Sequence, residues 1–163
     1  MRSAVCPGSF DPVTNGHVDV FTRASDMADE VTIAVLVNRT KQSLFTLDER
    51  VDLLDASVAH LANVKVDVFE GLLVDWCRAH GVKHVIKGLR AVSDFDYELQ
   101  MAQMNQRLSG IDTFFISTSP QYSFLSSSLV REVGRFGGDV STMVPASVAT
   151  RLVERFAEQG SPS

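Results

Sequence analysis

The residues Val31-Thr32-Ile33-Ala34-Val35-Leu36-Val37 include a single polar side chain, and five of the seven are β-branched. A strand with one wet face alternates apolar and polar residues. A strand without that alternation suits the centre of a parallel sheet covered on both faces. Four more short runs of the same character follow the same logic: Ser3–Cys6, Val64–Phe69, His84–Ile86 and Thr113–Ser117. Between and after them lie helix-like segments at His17–Met27, Leu47–His60, Leu72–His80, Asp94–Arg107, Ser128–Phe136 and Pro145–Gln159. Thr46-Leu47-Asp48-Glu49 is a capping box that starts the second helix, and Gly81 stops the third. Pro145 suits the first turn of the last helix. Strands alternating with helices imply right-handed crossovers. The expected class is α/β, with an open five-stranded parallel sheet and helices on both faces.

Composition narrows the function. The 163 residues are enough for one domain with a full core, expected over residues 1–158, with 159–163 as a disordered tail. No apolar run reaches the length of a membrane span, and Met1-Arg2-Ser3 leads into a strand and not into a signal peptide. A net charge of −5 argues against a general nucleic-acid binder, while leaving room for a local basic pocket. Cys6 and Cys77 lie in apolar segments and read as reduced core thiols of a cytoplasmic protein.

In open parallel sheets, ligands bind beyond the carboxyl ends of the strands. The segments that fall there are polar, basic or Gly-rich. After the first strand comes Gly8-Ser9-Phe10-Asp11-Pro12-Val13-Thr14-Asn15-Gly16-His17. Its glycines let backbone N–H groups approach an anion, the helix start adds partial positive charge, and His17 opens that helix. After the second strand comes Asn38-Arg39-Thr40-Lys41, and after the fourth Lys87-Gly88-Leu89-Arg90. There Gly88 permits close backbone approach, Arg90 can grip a phosphate with two bonds, and Lys87 supplies a point charge. After the fifth comes the segment Ser117 to Ser128, with Tyr122-Ser123-Phe124-Leu125-Ser126-Ser127-Ser128 at its end. One serine can cap the next helix; three leave spare donors for a phosphate.

Each feature has a plainer reading when taken alone. A histidine at a helix start serves most often as a cap or surface group. A basic pair is usually a solvated loop, and Tyr97, Glu98 and the Met101/Met104 pair read as helix surface or core. His60, His80 and His84 have no metal-like spacing. Neither a G-x-G-x-x-G nor a P-loop spacing is present.

Taken in order, GSFDPVTNGH, KGLR, the DFDYE stretch and YSFLSSSLVRE resemble the bacterial phosphopantetheine adenylyltransferases. These belong to the nucleotidyltransferase superfamily marked by T/H-x-G-H, and the resemblance spans nearly the whole chain. It implies a Rossmann-like domain, a homohexamer of two stacked trimers, and transfer of AMP from ATP to 4′-phosphopantetheine. The products would be dephospho-coenzyme A and pyrophosphate, the penultimate step of coenzyme A synthesis. It implies His17, Lys41 and Arg90 as catalytic. It places Ser9, Lys41, Leu73 and Lys87 on the pantetheine-phosphate side. On the ATP side it places Ser9, Phe10, His17, Gly88, Leu89, Arg90, Glu98 and Tyr122 through Ser128: Tyr122, Ser123, Phe124, Leu125, Ser126, Ser127 and Ser128. Ser9 stands where threonine is frequent and Lys87 where arginine is frequent, which keeps the hydroxyl and the charge.

The chemistry agrees with that resemblance. A phosphate oxygen already ionised at neutral pH needs no general base, only alignment and positive charge. Mg²⁺ is expected to arrive on the ATP phosphates, with no protein metal ligands. Coenzyme A, which carries both halves of the product, is the expected feedback ligand; no nucleic-acid or membrane partner is expected. Two other readings remain. One is a sister enzyme using nicotinate mononucleotide or CTP; the other is a nucleotide-binding module without catalysis.

Overall fold

The computed structural model describes residues 2–40 and 42–160. Five strands, β1 (Ser3–Gly8), β2 (Glu30–Val37), β3 (Val64–Glu70), β4 (His84–Leu89) and β5 (Asp112–Ser117), form one parallel sheet in the order β3-β2-β1-β4-β5. The helices are α1 (Asn15–Met27), α2 (Leu47–Val58), α3 (Leu73–His80), α4 (Val92–Ser109), α5 (Ser127–Arg135) and α6 (Ala146–Glu158), with a 3₁₀ turn at Pro120–Tyr122.

Side chains alternate across the sheet, so each strand feeds two cores. Ala4, Cys6, Val31, Ile33, Val35 and Ile86 join Phe21, Leu54, Val130 and Leu152 from α1, α2, α5 and α6. Val5, Ala34 and Val85 turn the other way and meet Val74, Trp76 and Cys77 of α3. The sheet is thus covered on both faces, as the unbroken apolar run at 31–37 requires. Both cysteines are free and buried. Among the described residues no helix is long and apolar enough to cross a membrane.

The central strands part company partway along. β1 pairs with β2 over its whole length, from Ser3↔Glu30 to Gly8↔Val35. With β4 it pairs only at Ala4↔His84 and Val5↔Val85. Pro7 has no N–H to give to a ladder, so β1 cannot stay bonded on both sides beyond this point. β4 meanwhile runs on beside β5 as far as Leu89↔Ser117. The sheet therefore opens a crevice between the carboxyl ends of β1 and β4, where the strand order reverses.

Several element ends differ from the sequence reading. Lys87, Gly88 and Leu89 are not loop residues; they are the last rungs of β4. The helix after the first motif starts at Asn15, so His17 is its third residue and not its first. Pro145 caps α6 from outside, and Gln159 is its closing cap. The expected tail falls partly on 161–163, which lie outside the described residues.

Candidate active site

A cleft of about 440 Å³ fills the crevice. Cys6, Pro7 and Gly8 line it from β1, and Ile86, Lys87 and Gly88 from β4. This is the switch point of an open parallel sheet, where two strand ends splay and leave backbone groups for a ligand.

His17 is fixed by its own helix start. Thr14 caps α1 with its hydroxyl, accepting the His17 N–H at 3.3 Å, and donates its backbone N–H to His17 Nδ1 at 3.0 Å. An amide can only donate, so Nδ1 carries no hydrogen and the neutral ring holds its proton on Nε2. The ring meets Phe10 edge-on at 5.1 Å and lies over Phe21 at 6.4 Å. Burial of the imidazole, with help from the Arg90 and Lys87 charges, draws its pKa down to about 4. At neutral pH His17 is an uncharged hydrogen-bond donor lining the cleft.

The helix reaches that position because of a glycine in the strand beneath it. A Cβ built on Gly88 would lie 2.8 Å from Val20 Cγ2, one turn beyond His17. The bare Cα of Gly88 thus faces α1, and the close approach it permits is that of the helix. Asp19 ties α1 to the loop after β5 as well, accepting the Ser119 hydroxyl at 2.9 Å.

The two cations of KGLR each meet a carboxylate from α4. Lys87 Nζ lies 3.1 Å from Glu98 Oε1, and Arg90 Nε 3.1 Å from Asp94 Oδ2. Asp94 and Glu98 stand one turn apart and present both acids to one wall. Arg90 also donates to the Leu125 carbonyl at 2.6 Å, which pins the segment leading into α5.

The serine run is more occupied than its sequence implies. Ser126 caps α5 by accepting from Leu129 N–H, and Ser127 donates to the Pro12 carbonyl at 2.8 Å. Ser128 Oγ lies 3.3 Å from Arg131 Nη2. What remains for a ligand is the backbone of the helix start, whose first N–H groups have no partner inside the helix.

The structure brings Ser9, Phe10, His17, Lys87, Gly88, Arg90, Glu98, Tyr122, Leu125, Ser126, Ser127 and Ser128 to this cleft. Leu73, Leu89, Ser123 and Phe124 are not among its lining residues. Leu73 opens α3 and packs partly against the core on the opposite face, while Phe124 is 58% exposed. Lys41 lies outside the described residues.

Three lining residues carry no weight in the sequence reading. Asp11 is buried and accepts the Leu44 and Phe45 amides at 2.8 and 2.9 Å, joining the first motif to the chain ahead of α2. Arg131 donates to the Asp11 carbonyl from the second turn of α5. Arg50 is 5% exposed and donates to the Ser9 carbonyl at 2.7 Å. A cation on the buried stripe of α2, beside Leu53, Leu54 and Ser57, was the available signal. Cys6 also lines the cleft, but burial pushes its thiol up to about 12, so it is no nucleophile at neutral pH. Among the described residues no three His, Cys, Asp or Glu side chains cluster as a metal site.

Comparison with known proteins gives the family and the fold. Residues 5–133 match the family model described as cytidylyltransferase-like. A protein of Frankia alni named phosphopantetheine adenylyltransferase is 59% identical over 97% of this chain and all of its own length. Proteins of the same name from Streptomyces coelicolor and Thermobifida fusca are 59% and 58% identical, over 96% and 97% of this chain and 98% and 96% of theirs. Among solved structures, a candidate nicotinate-nucleotide adenylyltransferase from Vibrio parahaemolyticus superposes with a TM-score of 0.69. It covers 94% of this chain and 99% of that one, and at 17% identity it shows the shared Rossmann-like fold alone.

Proposed function

The chain belongs to the phosphopantetheine adenylyltransferase family, and from that membership we propose how its cleft does the work. The protein is a nucleotidyltransferase that moves the adenylyl group of ATP onto 4′-phosphopantetheine, giving dephospho-coenzyme A and pyrophosphate. One observation carries the mechanism: a single crevice gathers a neutral histidine donor, the cations Lys87 and Arg90 and a helix start, with no activated nucleophile among its described residues.

A phosphate oxygen of 4′-phosphopantetheine attacks the α-phosphorus of ATP in line. The new O–P bond forms as the bond from the α-phosphorus to the β-phosphate bridging oxygen breaks, and its electrons leave on pyrophosphate. The attacking oxygen is already ionised, so no base is required. His17 Nε2–H donates to an α-phosphate oxygen as charge builds there. Lys87, with Lys41 and Ser9 by family position, holds the acceptor phosphate. Arg90 and the α5 N-terminus face the ATP phosphates, with Glu98 and Tyr122 on the nucleoside side. Binding of phosphates must compete with Glu98 and Asp94 for the two cations, which tempers affinity for anions of the wrong shape.

ATP enters as its Mg²⁺ complex. The carboxylates of the cleft are already paired with cations, so the donor set fits a polyphosphate that brings its own metal and waters. Coenzyme A spans both half-sites and acts as a feedback ligand; calorimetry with and without saturating ATP tests it. Met101, Met104 and Leu108 of α4 and Phe114 of β5 are exposed apolar groups, which supports burial in a homohexamer. Light scattering tests the number. Coenzyme A synthesis from soluble substrates supports a cytoplasmic location.

The decisive experiment offers the enzyme ATP or CTP with 4′-phosphopantetheine or nicotinate mononucleotide and identifies products by mass. Dephospho-coenzyme A from the ATP and 4′-phosphopantetheine pair alone is expected. A product with nicotinate mononucleotide in its place would move the chain to a sister activity, and binding without pyrophosphate release would make it a module without catalysis.

A further inference from the structure

Arg50 is unlike the other cations of the cleft. It is 5% exposed, and no ion pair to it forms among the described residues, whereas Lys87, Arg90 and Arg131 each face a carboxylate. Its Nη1 donates to two backbone carbonyls, Ser9 at 2.7 Å and Leu36 at 3.4 Å. Its Nε is buried with no hydrogen-bond partner among the described residues. Nη2 has no partner among the described residues and is not among the occluded atoms, and the residue lines the cleft. A buried guanidinium held only by carbonyls is under-compensated, and an anion nearby would relieve it.

The first of those carbonyls sits at a particular place. The Ser9 carbonyl belongs to the peptide that enters Phe10, and Phe10 has φ +47°, a conformation that a bulky side chain rarely adopts. This turn leaves Ser9 exposed at the cleft and folds the Phe10 ring over Gly8, where a Cβ would lie 2.7 Å from the ring. Arg50 therefore grips the peptide plane on which the turn depends. Its second bond reaches Leu36 near the end of β2, which lines the cleft together with Asn38. Both anchors belong to the wall formed by the ends of β1 and β2, and neither to the Arg90 or α5 segments.

We propose that Arg50 is a positioning residue for the acceptor: it fixes the Ser9–Phe10 turn, and its uncompensated charge selects an acceptor that ends in a phosphate. This rests on the assignment above of that wall to 4′-phosphopantetheine. Its hydrogen bonds go to Ser9 and Leu36 and none goes to the Arg90 or α5 segments, so the acceptor should respond more strongly than ATP.

Steady-state kinetics of Arg50→Met and Arg50→Lys, varying one substrate at a time, test this. Arg50→Met should raise KM for 4′-phosphopantetheine about tenfold or more and leave KM for ATP within about threefold. Arg50→Lys, which restores charge without the fork, should recover part of that loss. In calorimetry, pantetheine without its phosphate should bind wild type and Arg50→Met equally weakly. Equal rises in both KM values, an unchanged acceptor KM, no recovery by lysine, or a loss that persists with pantetheine would each overturn the inference. If Arg50→Met does not fold, the lysine variant alone decides: an acceptor KM raised with ATP unaffected supports the inference, and an unchanged acceptor KM overturns it. A wild-type protein that makes no dephospho-coenzyme A would instead refute the assigned reaction, and this inference with it.

Discussion

Thr14 donates its backbone N–H to His17 Nδ1 at 3.0 Å, and that bond decides which face of the imidazole can meet a substrate. Protonating Nδ1 would set two donors against each other. The packing of the ring then works in the same direction, drawing the pKa from 6.5 to about 4. Nitrogen-detected NMR at pH 7 should show His17 neutral with its hydrogen on Nε2, still so near pH 5. The unfolded chain takes up a proton near 6.5 that the folded chain refuses until about 4. The unfolded state therefore binds more protons across this window. The His17 contribution to stability is complete above 6.5 and falls away as pH drops toward 4. Titration of His17 at its ordinary value, or a hydrogen found on Nδ1, would contradict this account.

Replacing His17 by alanine should lower kcat by about 10²–10³ while ATP affinity changes little, because the lost donor acts on charge present only in the transition state. Equilibrium binding of ATP beside single-turnover rates separates the two effects. A variant that binds ATP poorly but turns over normally once saturated would assign His17 to ground-state binding.

Lys87→Ala should chiefly raise KM for 4′-phosphopantetheine and Arg90→Ala chiefly KM for ATP. Arg90 also holds the Leu125 carbonyl at 2.6 Å, so its loss should loosen the segment leading into α5 and deepen the ATP defect. Kinetics with each substrate varied in turn would show the division; the same effect of both variants on both substrates would remove it.

Gly88→Ala puts a methyl 2.8 Å from Val20 Cγ2, a contact that Val20 must leave, and the expected outcome is that α1 lifts from β4. Overpacking of this kind costs roughly 1–3 kcal/mol, and the shift should carry His17 with it and lower kcat. The double variant Gly88→Ala, Val20→Ala should be more stable than the sum of the single losses predicts. Urea unfolding of the four proteins measures the coupling, and simple additivity would mean that the two residues do not press on each other.

The class of fold was legible because hydrophobic runs and helix stops are local signals. The run at 31–37 announced a covered central strand, and the Thr46/Glu49 box announced the start of α2 to the residue. The motifs also sorted to the carboxyl end of the sheet. What stayed hidden depends on register and packing. Nothing local distinguishes the loop expected at Lys87-Gly88-Leu89 from the rungs of β4, because only pairing with β5 makes it strand. Gly88 was read as room for a ligand, whereas it is room for Val20. The hydroxyls of Ser126 and Ser127 looked free until Leu129 and Pro12 claimed them. Arg50 showed only as a cation on the buried stripe of α2, and its role stayed hidden because its partners are carbonyls 41 and 14 residues away.

Direct transfer between two aligned phosphates is the central claim, and the configuration at the α-phosphorus tests it most directly. ATP carrying sulfur in place of one α-phosphate oxygen, as a single diastereomer, can be turned over with 4′-phosphopantetheine and the product configuration assigned. One in-line displacement predicts inversion. Retention would require two displacements through a covalent adenylyl-enzyme, and would contradict a cleft whose only cysteine among its lining residues, Cys6, has its thiol held near 12.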